Sequence, residues 1–232
     1  MEIGRIQALA IHATRRSPPR AVDCADAVAQ RGLLGDAHAD RLSPRQLLLA
    51  SQSAYRDFGL APHALRENLL VDVETADLAS GTVLQVGAEV LLRLMFQCEA
   101  CGNLDAFRPG LSREIGARRG MLARVIAGGT MRPGDRVLDL GPVLPAWPDD
   151  WHERVPMVLD AVPDGAVIEY RDLARLAGVQ STYCRAFPRL IANLGPGYAD
   201  KAVPMHAAPE LPRWKGEGLF DHPPLLRLVW IP

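Results

Sequence analysis

The sequence predicts an α+β chain: a compact, partly closed β architecture over residues 1–141, then a small, mainly helical region. Three observations lead there. Short β-rich runs separated by Gly-containing turns fill the first part, with few helical patterns between them. Residues 141–148 hold three prolines and little periodicity, which places a linker at 142–149. From residue 150 to 232 the texture changes to short helical patterns.

Taken in order, residues 1–11 alternate enough to read as a strand. Residues 21–33 are mixed and end in Gly32-Leu33-Leu34-Gly35-Asp36, a turn. Ser43-Pro44 precedes residues 45–58, where Leu47, Leu48, Ala50, Ser51, Ala54 and Tyr55 fall near a 3.6 period, predicting a helix stopped by Gly59. Residues 69–73, 83–86 and 89–96 read as strands separated by Gly81 and Gly87. Residues 113–127 open like a helix, but 122–126 reads better as a strand. Gly128-Gly129 and Pro133-Gly134-Asp135 are turns before a last strand, 136–140. In the second region, 151–162 predicts a helix, 167–170 a brief strand, 170–177 a helix stopped by Gly178, and 182–194 another helix despite Pro188. The last two, joined by Gly178-Val179-Gln180-Ser181, resemble a helix-turn-helix. The tail from Pro204 reads as loops.

At 232 residues, 48% hydrophobic and 23% charged, the chain can bury a sizeable core, which excludes a mainly disordered protein. A net charge of −1 implies neither nucleic acid nor an anionic membrane. No apolar window approaches the roughly 20 residues of a membrane span, and no signal-peptide core follows Met1, so a cytoplasmic location is expected. Cys24, Cys98, Cys101 and Cys184 are then expected to be reduced. All 17 basic residues of the first 141 are Arg, which suits bidentate anion recognition or reflects a coding preference.

Cys98-Glu99-Ala100-Cys101 directly follows the apolar run 90–96, and a thiolate at a strand end can reach a ligand across a barrel mouth. Taken alone, the pair is also compatible with a structural zinc site, a redox pair, or two inert buried thiols. Zinc lacks two further ligands nearby, and a redox pair lacks an immediately following helix.

The surroundings add more. Gly32-Leu33-Leu34-Gly35-Asp36-Ala37-His38, Arg45-Gln46-Leu47-Leu48-Leu49, Arg66-Glu67-Asn68-Leu69, Cys98-Glu99-Ala100-Cys101 and Arg119-Gly120-Met121-Leu122-Ala123-Arg124-Val125 occur in that order, ending in Gly134-Asp135. This ordered set, spanning residues 1–141, resembles the MOSC family, the domain type named for the C-terminal part of molybdenum cofactor sulfurases. The resemblance implies a β-barrel-rich fold that holds molybdopterin in a basic groove with a Cys on molybdenum.

Carried over by position, Cys101, followed by x-x-Leu, is the implied metal ligand, and Cys98 a neighbour. Soft thiolate suits molybdenum. Arg66 and Asn68 match an Arg-x-Asn element that contacts the cofactor, and Arg45 a basic position before a helix. His38 is a candidate to bond the ligand or move a proton, whereas Asp36 reads as a turn-former. One departure is Asn103, two positions past Cys101, where related sequences often carry a basic residue. The resemblance implies reduction of small N-hydroxylated compounds, such as base analogues, with electrons from a partner protein; no flavin or nicotinamide fingerprint appears, and pyridoxal phosphate is not expected. It also admits a carrier that exchanges cofactor or sulfur with another protein.

In the second region, Pro163-Asp164-Gly165-Ala166-Val167-Ile168-Glu169-Tyr170, then Arg185-Ala186, then Pro204-Met205-His206-Ala207, resemble the winged-helix-like DNA-binding domain of O6-alkylguanine alkyltransferases and alkyltransferase-like proteins. Tyr170 and Arg185 match the positions that rotate out a nucleotide and fill its gap. Met205 stands where the family has its acceptor Cys, and a thioether cannot attack an alkyl group, so alkyl transfer is excluded. From residue 149 onward, nine basic residues face eleven acidic ones, which disfavours DNA as the partner. A basic stripe of Arg171, Arg175, Arg185 and Arg189 is its best remaining support. Protein contact, or covering of the first domain's pocket, is the other reading.

Overall fold

A computed structural model describes residues 1–204, 206–207 and 210–221. The chain divides into two units: Met1–Arg41 with Arg45–Trp147, and Leu42–Pro44 with the residues from Pro148 on.

The first unit is a closed seven-stranded barrel. Its strands are β1 (Glu2–Ile11), β5 (Leu47–Ser51), β6 (Leu69–Val71), β7 (Val83–Val86), β8 (Val90–Gln97), β9 (Met121–Ala127) and β11 (Arg136–Asp139). Their order is β11-β7-β8-β9-β5-β6-β1, and the β1–β11 pair closes the ring. β2 (Arg20–Val22) adds to the far end of β1, while β3 (Ala25–Val28), β4 (Gly32–Leu33) and β10 (Gly129–Met131) make a small second sheet. Closure depends on β1, which pairs with β11 through Glu2, Gly4 and Arg5 and with β6 through Ile6, Ala8 and Leu9, with a register shift in each ladder. Such irregularities bend a strand enough to complete a ring without leaving an edge. Gly4 leaves room for the Asp72 carboxylate, since a Cβ there would lie 2.3 Å from Asp72 Oδ1.

Ile6, Leu49, Val71, Leu84, Leu92 and Val125 belong to the barrel core, each at most 1% exposed. A second cluster, Ala50, Ala54, Leu65, Leu104, Leu111 and Ile115, gathers the segments on which the site is built. These include α1 (Gln52–Phe58) and α2 (Leu111–Glu114).

Residues 45–58 differ from the expected single helix. Leu47–Ser51 is a strand buried along its whole length, parallel to β6 and antiparallel to β9, and only 52–58 is helical. Four apolar residues followed by Ser51 fit either period, and burial between two strands decides for β. The helix stops where expected, at Gly59 in the left-handed conformation (φ 61°). The proline-bearing stretch 142–147 lies down on the first unit: Trp147 N–H bonds Ser80 Oγ at 2.7 Å, and buried Arg93 bonds Pro145 O at 2.7 Å. Carbonyls flanking prolines remain available as acceptors, so such a segment can pack without being a strand.

The second unit is mainly helical, with α3 (Trp151–Asp160), α4 (Tyr170–Leu176), α5 (Phe187–Leu194) and α6 (Pro196–Ala199), plus a parallel pair, β12 (Ile168–Glu169) and β13 (Ala202–Val203). Asp150 caps α3, accepting His152 N–H at 2.9 Å. Fully buried Arg154 bonds the carbonyls of Ala177, Pro148 and Asp149. Pro188 sits in the first turn of α5, after a 3-10 stretch Ser181–Ala186, where its missing N–H is not needed. Among the described residues no helix is long and apolar enough to cross a membrane.

Candidate functional site

The residues singled out in the barrel converge on one cleft of about 110 Å³, lined by His12, His38, Arg45, Leu47, Leu48, Arg66, Asn68, Cys98, Arg119 and Leu122. Four of the five expected site residues of this unit, His38, Arg45, Arg66 and Asn68, are therefore neighbours. Cys101 is not in the wall. It is half-buried at the start of a 3-10 turn, Gly102–Ala106, while Cys98 lines the cleft.

Asp36 organises one side. The turn after β4 brings it under the end of β1, where Ala37 N–H bonds His12 O at 2.9 Å. Its Oδ2 accepts His12 N–H (2.8 Å), Asn68 Nδ2–H (2.9 Å) and His12 Nδ1 (3.1 Å). Its Oδ1 accepts His38 N–H (2.7 Å) and His38 Nδ1 (2.8 Å). Burial alone would raise this carboxyl, but the bonds from His12 and His38 hold it far below the usual carboxylate range. The His12, Asp36 and His38 donor atoms lie within 4.8 Å of one another, the residue types of a metal site. With both carboxylate oxygens already engaged, the arrangement is a hydrogen-bonded clamp that sets two imidazole rings, 5.0 Å apart and nearly perpendicular.

Asn68 belongs to that clamp. Its Oδ1 accepts Leu48 N–H at 3.1 Å and its Nδ2 also donates to Ala10 O, tying β1, β5 and the Asp36 turn together. Both amide hydrogens are thus used inside the protein, which makes Asn68 a positioning residue.

Arg66 adopts φ 54°, a left-handed conformation uncommon outside Gly. Its buried neighbours impose it. Leu65 N–H bonds Tyr55 Oη at 3.0 Å, and the Tyr55 hydroxyl donates to Glu67, whose other oxygen lies 3.3 Å from His63 Nδ1. The Glu67 carboxylate holds His63 above the ordinary imidazole range, and burial beside Glu67 pushes the Tyr55 hydroxyl up. Arg66 is steadied by Arg15 O and Ser17 O. Non-Gly residues persist in such conformations where the surroundings over-determine them, and ligand sites are frequent places.

On the opposite side, Arg45 Nη1 pairs with Glu99 Oε2 at 2.9 Å and Nη2 lies 3.7 Å from Cys98 Sγ. Burial opposes the Arg45 charge, but Cys98, Glu99 and Cys101 more than restore it, so both thiols lie within its electrostatic reach. Cys98 N–H bonds Gly120 O at 2.7 Å. Gly120 has φ 118°, and a Cβ there would sit 2.3 Å from Leu49 O. The Cys pair is thereby pinned to the start of β9. Arg119, 7% exposed, bonds Leu65 O at 2.6 Å.

Sequence reasoning missed His12 and gave Arg119 no role. His12 directly ends the alternation of β1, a weak signal. Arg119 lay inside a quoted motif. Asn103 is exposed.

In the second unit, Tyr170 is half-buried, edge-on to Phe187 at 6.0 Å, and burial raises its hydroxyl pKa. Arg185 is exposed, as are Arg171, Arg175 and Arg189. Met205 lies outside the described residues. Half-buried Cys184 lies 3.5 Å from Tyr170 O.

Residues 36–138 match the MOSC domain family. No curated protein matches the chain. Among solved structures, the YuaD protein from Bacillus subtilis is 17% identical over 58% of this chain and 93% of its own, with a TM-score of 0.50. YiiM from Geobacillus stearothermophilus is 12% identical over 81% of this chain and 98% of its own, with a TM-score of 0.51. A hypothetical protein is 18% identical over 86% of this chain and 97% of its own, also at 0.51. At these identities the likeness carries the fold.

Proposed function

From a chain whose residues 36–138 match the MOSC domain family, we propose a molybdenum-cofactor-binding protein that reduces small N-hydroxylated compounds, with electrons from a partner protein. MOSC domains are generally associated with molybdenum cofactor. One observation carries the reading: the Cys98 thiol, two imidazoles and three guanidinium groups line a single cleft, with no carboxylate among its lining residues.

The cleft's arginines fit the anionic charge of the group. Cys101 is the proposed ligand. Half-buried Cys101 lies outside the cleft wall but within electrostatic reach of Arg45, whereas Cys98 lines the cleft, is 5% exposed and is held between Arg45 Nη2 and Glu99 O. Arg45, Arg66 and Arg119 offset the anionic charge of a molybdopterin, using fork geometry suited to oxyanions. Arg119 Nε is buried without a partner among the described residues, a donor that a bound group would satisfy. The cofactor, when bound, supplies two-electron oxygen-atom chemistry. The chain's own work is to hold protons: His38, 32% exposed, is the imidazole able to exchange with solvent, and Asp36 fixes its orientation.

The cleft is smaller than the roughly 300–1,000 Å³ of sites that enclose a whole ligand, so it takes one end of the cofactor. Elemental analysis of cofactor-replete protein, followed by reduction of a hydroxylamino purine with an artificial electron donor, tests both halves. Molybdenum without turnover would leave the carrier reading, and absence of molybdenum would end both.

A second reading concerns the other unit alone, because Arg171, Arg175, Arg185 and Arg189 are all exposed. Salt-sensitive binding to duplex containing an O6-alkylguanine, lost in Tyr170→Phe or Arg185→Ala, would support non-catalytic recognition of altered DNA. Salt-independent or absent binding would leave protein contact as that unit's role.

A further inference from the structure

β1 and β2 pair with Ile11 opposite Arg20, which leaves residues 12–19 as the loop between them. Two residues of the cleft wall hold this loop. His12, its first residue, is bonded to Asp36 through its N–H and its ring. Arg66 donates from Nη2 to Arg15 O at 3.2 Å and to Ser17 O at 2.9 Å. Within the loop, the hydroxyls of Thr14 and Ser17 each accept the other's N–H at 3.0 Å. Pro18-Pro19 fixes two further backbone angles.

The backbone is tied down, but the charges it carries are not. Arg15, Arg16 and Arg20 are exposed, and their guanidinium groups have no hydrogen bond or ion pair among the described residues. No Asp or Glu occurs between residues 11 and 22. Like charges gathered over residues 15–20 repel, whereas surfaces usually intersperse both signs. An ordered loop that keeps them together is completed by an anion from outside. The guanidinium fork matches phosphate oxygens. Arginines this close in sequence suit a compact phosphate chain, while a protein partner needs a face of about 800 Å².

We propose that this loop, with Arg20, binds the phosphate chain of a nucleotide at the edge of the cleft. The claim rests on the reduction of N-hydroxylated base analogues proposed above, and makes the substrate a nucleotide instead of the free base. Arg15, Arg16 and Arg20 become specificity-determining residues, outside the wall that receives the cofactor. The phosphate of the cofactor itself is a second source of the same chemistry, so the test separates the two.

The full-length, molybdenum-free chain is titrated calorimetrically with adenosine triphosphate and with adenosine, at neutral pH and fixed ionic strength. The triphosphate should bind at least about tenfold more tightly, and added salt should weaken it. Arg15→Ala combined with Arg16→Ala should lower its affinity at least about tenfold. The loop should keep its place in that variant, because Arg66 bonds its carbonyls. Arg132→Ala, at an exposed position between β10 and β11, should change nothing. In cofactor-replete protein, undiminished affinity would assign the loop to the substrate. Affinity lost on loading would assign it to the cofactor's phosphate and overturn the proposal. Equal affinities for the two probes, or an unchanged affinity in the double variant, would also overturn it. So would absence of triphosphate binding, which would leave these arginines to an acidic protein face. A chain that takes up no molybdenum would end the cofactor reading, while triphosphate binding by its metal-free form would still establish the phosphate site.

Discussion

His12 Nδ1 lies 3.1 Å from Asp36 Oδ2, both side chains almost wholly buried and 24 residues apart in sequence. Around that contact the end of β1, the turn after β4 and the start of β6 become one unit, with Asn68 as the third member. Three residues of the cleft's wall, His12, His38 and Asn68, bond this one carboxylate.

Replacing Asp36 by Asn should therefore be costly. Breaking a buried, charge-assisted network by removing its central anion typically costs roughly 3–5 kcal/mol, and urea unfolding would read it. The pH dependence follows from sign. Asp36 titrates well below its unfolded value, so its stabilisation is complete above about pH 4 and fades as pH falls toward the folded-state value. Wild type should lose stability on acidification below about pH 4, with a shallower loss in Asp36→Asn. Identical acid limbs would contradict the role given to the clamp.

The His63–Glu67 pair behaves in the opposite sense. His63 titrates above its unfolded value, so its contribution is complete below about pH 6.5 and is lost as pH rises through the folded value. The urea midpoint should drop slightly from pH 6 to pH 8 in wild type, and His63→Gln should remove that part of the change.

Gly120→Ala tests the anchoring of the Cys pair. A Cβ at φ 118° would lie 2.3 Å from Leu49 O, and Cys98 N–H bonds Gly120 O. Such strain costs on the order of 1–3 kcal/mol. A lowered thermal midpoint should come with reduced molybdenum content, even though the substitution touches no proposed ligand.

Much of the barrel was legible because short β-rich runs, punctuated by Gly, announce themselves locally. Residues 47–51 were not, since four consecutive apolar residues and a serine fit both periods and only β6 and β9 decide. His38, Arg45 and Arg66 came from ordered motifs, and they do meet in one cleft. His12 could not, because nothing near it in sequence says that a carboxylate 24 residues away will meet its backbone N–H and its ring. Asn68 was legible as a position but not as a role; its amide is engaged by backbone groups that only the folded barrel brings within reach. The stretch 142–149 looked like a linker by composition, and the buried Arg93 that bonds Pro145 within it lies 52 residues upstream of that proline.

The sulfur at position 101 bears the central claim. Molybdenum content should be measured by elemental analysis in wild type, Cys101→Ser and Cys98→Ser prepared under identical cofactor-replete conditions. Near-stoichiometric metal in wild type, a loss of at least about tenfold in Cys101→Ser and retention of most metal in Cys98→Ser is the predicted pattern. Undiminished molybdenum in Cys101→Ser would contradict it.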